Sequence, residues 1–539
     1  MTEGRADAEI EDPTPPDVRV DVVGDEEAAG MSDTEVPQEV REVETKLRVH
    51  ALFKLPDLTA APGVSVVVPQ SPRDLLAVYH DTDDLRLFRW GVTLRRREGG
   101  DDAGWHMKLP VQGASEGVRD ELRLPLSDGE VGHVPTGLSE VVTAFVRDGV
   151  LRPVVTLETN RTPYLLYDED GVAFAELVDD TVSVLDGGEV ISRFREIEVE
   201  AIVADADLSG PVDLLLSAGA TPSKSSKAAS ALGPATREPA DVPKPERVTP
   251  ADPASKAVTA HLRTYVRAFL EQDVRVRRDL PDAVHQMRVA ARRLRSGLKV
   301  FAPLVDKEWA DGLREELAWA ASQLGSARDT EVLLERLDRH ADNLGEREAL
   351  LIRSVMDPRL RHRLAEAREH ALESMRSPRH ARLLAALVDA AAHPRLTAHA
   401  AQSSAEVLPP LVRKAWKRLA RDVKLLELEG AAETWHEARI AAKRARYAAD
   451  AVAPVFGQPA KELGSALSLV TDVLGEHQDA CVAQDVIREI AATPDVDGET
   501  GFALGLLHEH EFEEEIHDRL EFRRVWPEVK RVHKHTDLG

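Results

Sequence analysis

The chain has 539 residues, with 95 acidic against 69 basic side chains and a formal net charge of −26. That length leaves room for two or three domains with sizeable cores, and that acidity excludes general nucleic-acid affinity, so any anion site must be a local basic patch. A single cysteine, Cys481, excludes an intrachain disulfide and a cysteine-based zinc site, and no run approaches 18 consecutive apolar residues, so no membrane span is expected.

Residues 1–37 are acidic, Pro-rich and without periodicity, and lack the basic start of a signal peptide. They predict a disordered tail on a cytosolic protein. A strand-rich domain follows over 38–210. It opens with REVETKLRV (41–49), where a period of two places Glu42, Glu44, Lys46 and Arg48 on one face and Val43, Thr45, Leu47 and Val49 on the other. Two carboxylates about 7 Å apart on one face repel by roughly 2 kcal/mol at an effective dielectric near 20. Alone, the motif also reads as a half-solvated strand.

PRDLLAVYH and GLSEVVTAFVRDG predict helices, the second ending at Gly149. The remaining runs repeat the charged alternation. GVTLRRRE offers Arg95 and Arg97, WHMKLP offers Lys108, GVRDELRL offers Arg119, Glu121 and Arg123, and LETNRTPYLL offers Arg161. FAELVDD adds Glu176 and Asp179 or Asp180, and REIEVEA aligns Glu196, Glu198 and Glu200. In an open sheet these rows are merely wet; in a closed barrel one set must line the lumen. Carboxylates suit magnesium or manganese, and Arg and Lys suit phosphate oxygens.

Glu42-x-Glu44-x-Lys46, YHDTDD (79–84), GVTLRRR, WHMKLP and VRDELRL, in this order, resemble the CYTH or triphosphate tunnel metalloenzyme superfamily. The resemblance implies an eight-stranded antiparallel β-barrel tunnel acting on triphosphates with Mg²⁺ or Mn²⁺, as inorganic triphosphatases, thiamine triphosphatases and a class of adenylate cyclases do. It implies metal ligation by Glu42 and Glu44 with Glu198 or Glu200, and phosphate binding by Lys46, Arg95, Arg97, Lys108, Arg119 and Arg161, with Glu121 on the same wall. Glu42, Glu44 and Lys46 are the candidate catalytic residues. Two departures stand out: Thr159-Asn160-Arg161 replaces a common Lys-x-Arg, so one phosphate contact is missing or supplied elsewhere, and His80 follows Tyr79 where a second aromatic is common.

Residues 219–253 hold seven prolines with Ala, Ser and Lys, which predicts a flexible linker over 211–252. The rest, 253–534, is helix-periodic and internally duplicated. HQMRVAARRLRS (285–296) aligns with HEARIAAKRARY (436–447) at an offset of 151, and LGSARDTEV (324–332) with LGEHQDACV (474–482) at an offset of 150, pairing Asp329 with Asp479. Helical positions 0, +3, +7 and +10 fall within about 80° of one another. His285, Arg288, Arg292 and Arg295 therefore form one stripe, and His436, Arg439, Lys443 and Arg446 its twin. Paired recurrence in so acidic a chain points to a basic groove rather than two solvated faces.

These motifs resemble the CHAD family. That resemblance implies an all-α domain of two duplicated four-helix bundles, with halves at about 253–398 and 399–534, binding inorganic polyphosphate. The positions carried over are Arg288, Arg292, Arg293, Arg295, Arg439, Lys443, Arg444 and Arg446. His285 and His436 read as phosphate hydrogen-bond donors, since neither has a second histidine at +4 for a metal. HEHEFEEE (508–515) predicts an ordinary wet helix face and Cys481 a small core side chain.

The whole predicts a metal-dependent hydrolase of inorganic triphosphate or a related triphosphate. It joins this to a polyphosphate-binding domain, with no specific nucleic acid or membrane partner, in the cytoplasm and associated with polyphosphate granules. The alternatives are a non-catalytic polyphosphate-binding protein with a phosphate-sensing barrel, and a nucleotidyl cyclase.

Overall fold

The computed structural model describes residues 37–111, 113, 117–203, 205–536 and 538. The acidic tail lies outside the described residues. Ten strands follow in chain order: β1 (Gln38–Val49), β2 (Val66–Pro69), β3 (Arg73–Asp81), β4 (Thr93–Glu98), β5 (Gly104–Pro110), β6 (Val118–Leu124), β7 (Arg152–Tyr167), β8 (Ala173–Asp186), β9 (Glu189–Ala201) and β10 (Thr221–Pro222). Eight close into an antiparallel barrel in the order β1-β6-β5-β4-β3-β7-β8-β9 and back to β1. β2 is added on β7 and β10 on β1. Closure falls to β1, which divides its length between two neighbours. Gln38–Val43 pair with β6 and Glu44–Val49 with β9, so that Glu42 faces Arg119, Glu44 faces Glu200 and Lys46 faces Glu198.

Alternation turns the charged rows inward, so the apolar rows face outward and need cover. One side is covered where Leu47, Val49, Ile197 and Val199 pack with Phe53, Leu58 and Leu215. On another, Leu94, Trp105, Met107, Leu109, Leu122 and Leu124 merge into the core of the helical region. Inside, Ala77, Tyr79, Leu157 and Val182 pack with Ala228.

The short helices are α1 (Arg86–Arg89), α2 (Thr136–Ser139), α3 (Thr143–Val146), α4 (Ser209–Ser217) and α5 (Lys227–Leu232). Three expectations are corrected here. PRDLLAVYH is not a helix but β3, because pairing with β4 and β7 on both edges overrides the helix propensity of Leu, Ala and Arg. GLSEVVTAFVRDG is not one helix but α2 and α3, ended at Arg147, whose φ is +53°. The flexible linker is instead laid down as α4, β10 and α5 and then along the helical region. Ala228, Ala240, Val242 and Val248 are buried and Arg267 Nη1 donates to the Val242 carbonyl at 2.6 Å. A composition average over that stretch hides these few well-spaced apolar side chains.

The helical region comprises α6 (Ala254–Arg277), α7 (Ala283–Val300), α8 (Lys307–Gln323), α9 (Gly325–Asp342), α10 (Glu346–Arg376) and α11 (Pro378–Ala392). The second half comprises α12 (Ser404–Asp422), α13 (Ala432–Phe456), α14 (Gln458–Ala491) and α15 (Gly498–His535). The halves are two versions of one four-helix bundle. α6 and α7 answer α12 and α13, the pair α8–α9 answers α14, and α10–α11 answer α15. The first copy breaks at Leu324–Gly325 where the second runs on through Gly475. α11 starts at Pro378, with Ser377 as its cap. α15 also corrects the wet-face expectation for 508–515: Glu511 and Glu515 are buried, held by Arg336, His340, Gln484 and Arg519.

Barrel and helices are stitched by charge as well as core. Arg278 reaches Glu39 at 2.6 Å and Asp120 at 2.7 Å. Trp90 stacks on Phe145 at 4.6 Å, lies under the Arg267 guanidinium at 4.4 Å and donates to Asp241 at 2.9 Å. Trp90→Ala is therefore expected to destabilise the whole unit by roughly 3–5 kcal/mol in denaturant unfolding. It should also speed tryptic cleavage after Arg237, measured against the parent chain.

Candidate functional site

The lumen encloses a cavity of about 60 Å³ bordered by Glu42, Lys46, Tyr79, Arg95, Arg97, Lys108, Glu121, Arg123, Arg161, Glu198, Glu200 and Lys227. Acids and bases interleave. Lys46 Nζ lies 2.8 Å from Glu44 and 3.3 Å from Glu198. Lys108 Nζ donates to Glu42 at 2.5 Å, and Arg161 reaches Asp180 at 2.7 Å and Glu198 at 3.2 Å. Arg123 Nε donates to Glu121 at 2.6 Å; Lys108 and Arg95 lie 3.9 and 4.0 Å from the same carboxylate. Arg97 pairs with Asp102. Of the two candidate aspartates Asp180 faces inward, while Asp179 pairs with Arg195. Glu176 stands opposite Glu200 in the ladder.

Arg119 departs from this gathering. It sits one residue inside the end of β6, beside the turn that carries Gly91, and donates to the Gly91 carbonyl at 2.5 Å instead of bordering the cavity.

The lumen holds unanswered groups of both signs. Arg95 Nε and Arg97 Nε are buried without a hydrogen-bond partner, and so is Glu42 Oε2. Burial and the Glu42 charge, with Glu44 and Glu198 adding and Lys108 opposing, push the Glu200 carboxyl up to about 7. For Glu44, Lys46 and Lys108 outweigh the effect of burial and hold the carboxyl low. Glu198 is held lower still, as Lys227, Lys46 and Arg161 overcome its burial. An orphaned carboxylate oxygen and a cluster of mutually repelling glutamates fit a hard divalent cation. The four glutamates are not drawn into a closed set: among the described residues no three of them bring oxygens within 4.8 Å of one another. Lysines stand between them.

Two lumen residues escape sequence reasoning. Lys227, at the start of α5, places its Nζ 2.9 Å from Asp180, 2.8 Å from Glu196 and 2.7 Å from Glu198. It brings a cation beside Arg161, where Thr159 does not. Its one local signal is the Ser226 cap, which does not set it apart from the neighbouring Lys224. His106, beneath Glu121 at 3.0 Å, is signalled only by its two-residue spacing from Lys108.

In the helical region α7 and α13 pack against each other. Between Trp435 and Val452 the buried face of α13 is alanine throughout, including Ala438, Ala441, Ala442, Ala445, Ala448 and Ala449, which permits close approach. The stripes converge: the charges of Arg293, Arg288 and Arg446 bear on Arg292, and those of Arg439, Arg292 and Arg446 on Lys443. Burial, reinforced by these neighbours, pulls the Lys443 ammonium down to about 8. Duplicated acids answer part of the charge. Arg288 meets Asp329 at 3.0 Å and the Gly325 carbonyl at 3.1 Å, and Asp479 bears on Arg439 and Lys443.

Arg293, which is not on the stripe, pairs with Asp450 on α13 and lies 5.2 Å from the Tyr447 ring, as a strut between the halves. Arg446 bonds Thr471 at 2.8 Å, His436 bonds Gln478 at 2.6 Å, and Arg444 is exposed. Arg295 Nε and Arg439 Nε are buried without partners. Neither His285 nor His436 joins a metal-type group; among the described residues the one such trio is His477, Cys481 and Glu515. Cys481 is half-buried there, with burial pushing its thiol up to about 12.

The CYTH domain family matches residues 40–215 and the CHAD domain family residues 260–488. The uncharacterized protein MT2285 of Mycobacterium tuberculosis (strain CDC 1551 / Oshkosh) is 35% identical over 517 residues, 88% of this chain and 95% of that protein. Uncharacterized protein Rv2226 of strain ATCC 25618 / H37Rv matches equally. Among solved structures, PptA from Streptomyces chartreusis is 28% identical with a TM-score of 0.46, covering 51% of this chain and 100% of its own. The CHAD domain from the plant Ricinus communis is 25% identical with a TM-score of 0.42, covering 52% and 95%. A putative adenylate cyclase from Bacillus halodurans is 22% identical with a TM-score of 0.26, covering 36% and 97%. With both domain families matched in this order and relatives aligned over nearly the full length, the chain belongs to the CYTH–CHAD proteins.

Proposed function

We propose that the chain is a metal-dependent hydrolase of inorganic triphosphate or a related triphosphate, joined to a helical domain that binds inorganic polyphosphate. CYTH enzymes include triphosphatases and cyclases and generally use divalent metal ions, and the two domain types are associated with triphosphate and polyphosphate binding. The observation that carries the reading is the closed lumen in which buried guanidinium N–H groups of Arg95 and Arg97 await an acceptor beside a glutamate cluster with an orphaned oxygen.

Phosphoryl transfer to water needs charge neutralisation and in-line positioning more than covalent help. Arg95, Arg97 and Lys108 hold the phosphates from one wall, and Lys46, Arg161 and Lys227 from the other. Glu42 and Glu44 with Glu198 and Glu200 would hold a divalent ion, which would supply Lewis-acid polarisation of the phosphoryl group. Among the described residues Tyr79 is the one aromatic ring bordering the cavity, and its hydroxyl already accepts from Arg95 at 3.4 Å. The rest of the described cavity lining is polar or charged, which favours an unsubstituted phosphate chain over a base or thiamine ring. Lys227, resting on Glu198, favours a second reading in which the barrel senses phosphate without turning it over.

Phosphate release from tripolyphosphate with Mg²⁺ or Mn²⁺ decides between them. Glu42→Gln with Glu44→Gln is expected to lower kcat by about 100-fold or more while leaving retention on immobilised polyphosphate unchanged; a parent chain releasing no phosphate selects the sensor. Replacing Arg288, Arg292, Arg439 and Lys443 by Ala is expected to weaken polyphosphate binding by at least about 100-fold with tripolyphosphate turnover retained.

Polyphosphate affinity is also expected to fall as pH rises from 7 to 9. The Lys443 ammonium, lowered to about 8, is charged below that value and lost above it. Lys443→Arg removes this dependence, read by the pH series of the same binding measurement.

A further inference from the structure

Behind Glu121 lies His106, buried on β5. Its Nδ1 is 3.0 Å from Glu121 Oε1 and its Nε2 is 2.9 Å from the Asp102 carbonyl oxygen. Both neighbours accept hydrogen bonds and neither donates. A neutral imidazole carries one N–H, so one proton stands between two acceptors. Neither acceptor is free to turn away. Arg123 Nε grips Glu121 at 2.6 Å, and Arg97 donates to the Asp102 carbonyl at 3.4 Å while pairing with the Asp102 side chain.

What withholds a second proton is the lumen itself. Burial first, then the charges of Arg95 and Arg97, against the help of Glu121, pull the imidazolium down to about 3. Lys108, 3.9 Å from Glu121, also faces the pair, as does Arg123. A polyanion seated on Arg95, Arg97 and Lys108 cancels the repulsive charges and leaves burial as the main opposition.

We propose that His106 is a positioning residue whose pair with Glu121 takes up one proton from solvent when a triphosphate occupies the lumen, so that both ring nitrogens donate and Glu121 ceases to compete with the anion. This rests on the reading of the lumen as a triphosphate site. By one-proton linkage, triphosphate affinity then falls by up to about tenfold per pH unit on the alkaline side.

The test is titration calorimetry with tripolyphosphate on the full chain carrying the groove replacements Arg288→Ala, Arg292→Ala, Arg439→Ala and Lys443→Ala, so that the tunnel alone is read. Two buffers of different ionisation heat at one pH give the protons exchanged. His106→Gln keeps an N–H toward Glu121 but does not titrate. Glu121→Gln turns an amide donor toward Nδ1, so the neutral ring is satisfied without a proton. Each is expected to reduce uptake by up to about one proton per site relative to the parent, with thermal unfolding checking that the barrel is intact. Equal proton exchange in parent and both variants overturns the proposal while leaving the triphosphate site standing. No binding heat in the parent removes the triphosphate site, and the proposal with it.

Discussion

The structure depends on placing acids and bases together inside a closed wall. A buried charge without a partner costs several kcal/mol even after relaxation, so neither the glutamates nor the arginines of the lumen could be there alone. Interleaving makes them tolerable: Glu42 with Lys108, Lys46 between Glu44 and Glu198, and Arg161 and Lys227 around Asp180 and Glu198. The same arrangement inverts the barrel. With charge inside, Leu47, Trp105, Met107 and Ile197 face outward, and each is fully buried because another part of the chain covers it. The helical domain is thus one of the barrel's own coverings, and the two share a core.

The helical domain solves a related problem in the open. Its stripes of like charge are partly answered by acids from the second duplicated motif, Asp329 and Asp479, and by Asp450 bridging the halves. What is left over includes buried Nε groups on Arg295 and Arg439 without acceptors, and a lysine, Lys443, lowered by burial and then by its cationic neighbours. Lumen and stripes share buried guanidinium Nε groups without an acceptor, a feature also found at Arg96, Arg275, Arg278, Arg314 and Arg328.

Much of this was legible in the sequence because it depends on period. A two-residue repeat put Glu42, Glu44 and Lys46 on one face, and the 151-residue offset paired the basic helices. What was not legible depends on neighbours distant in the chain. β3 carries the helix formers Arg73, Leu75, Leu76 and Ala77 and becomes a strand because β4 and β7 supply both edges. Lys227 looks like any linker lysine until α5 carries it to three carboxylates. Glu511 and Glu515 look solvated until Arg336 and Arg519 arrive from other turns and helices. Arg119 shares the period of Glu121 yet leaves the cavity, because period says which face a side chain takes and nothing about how near it stands to a strand's end.

β6 ties the two halves of the chain together. Three consecutive residues serve three surroundings. Arg119 fastens the turn at Gly91, Asp120 faces outward to Arg41 and to Arg278 of the helical domain, and Glu121 faces inward to Arg123 and His106. A strand side chain cannot shift without carrying its neighbours, since the ladder fixes the backbone on both edges through β1 and β5. The Arg278–Asp120 contact therefore holds the same stretch of backbone that sets the height of Glu121 in the lumen. The helical domain thus braces from outside, through Arg278, the barrel wall on which Glu121 is mounted.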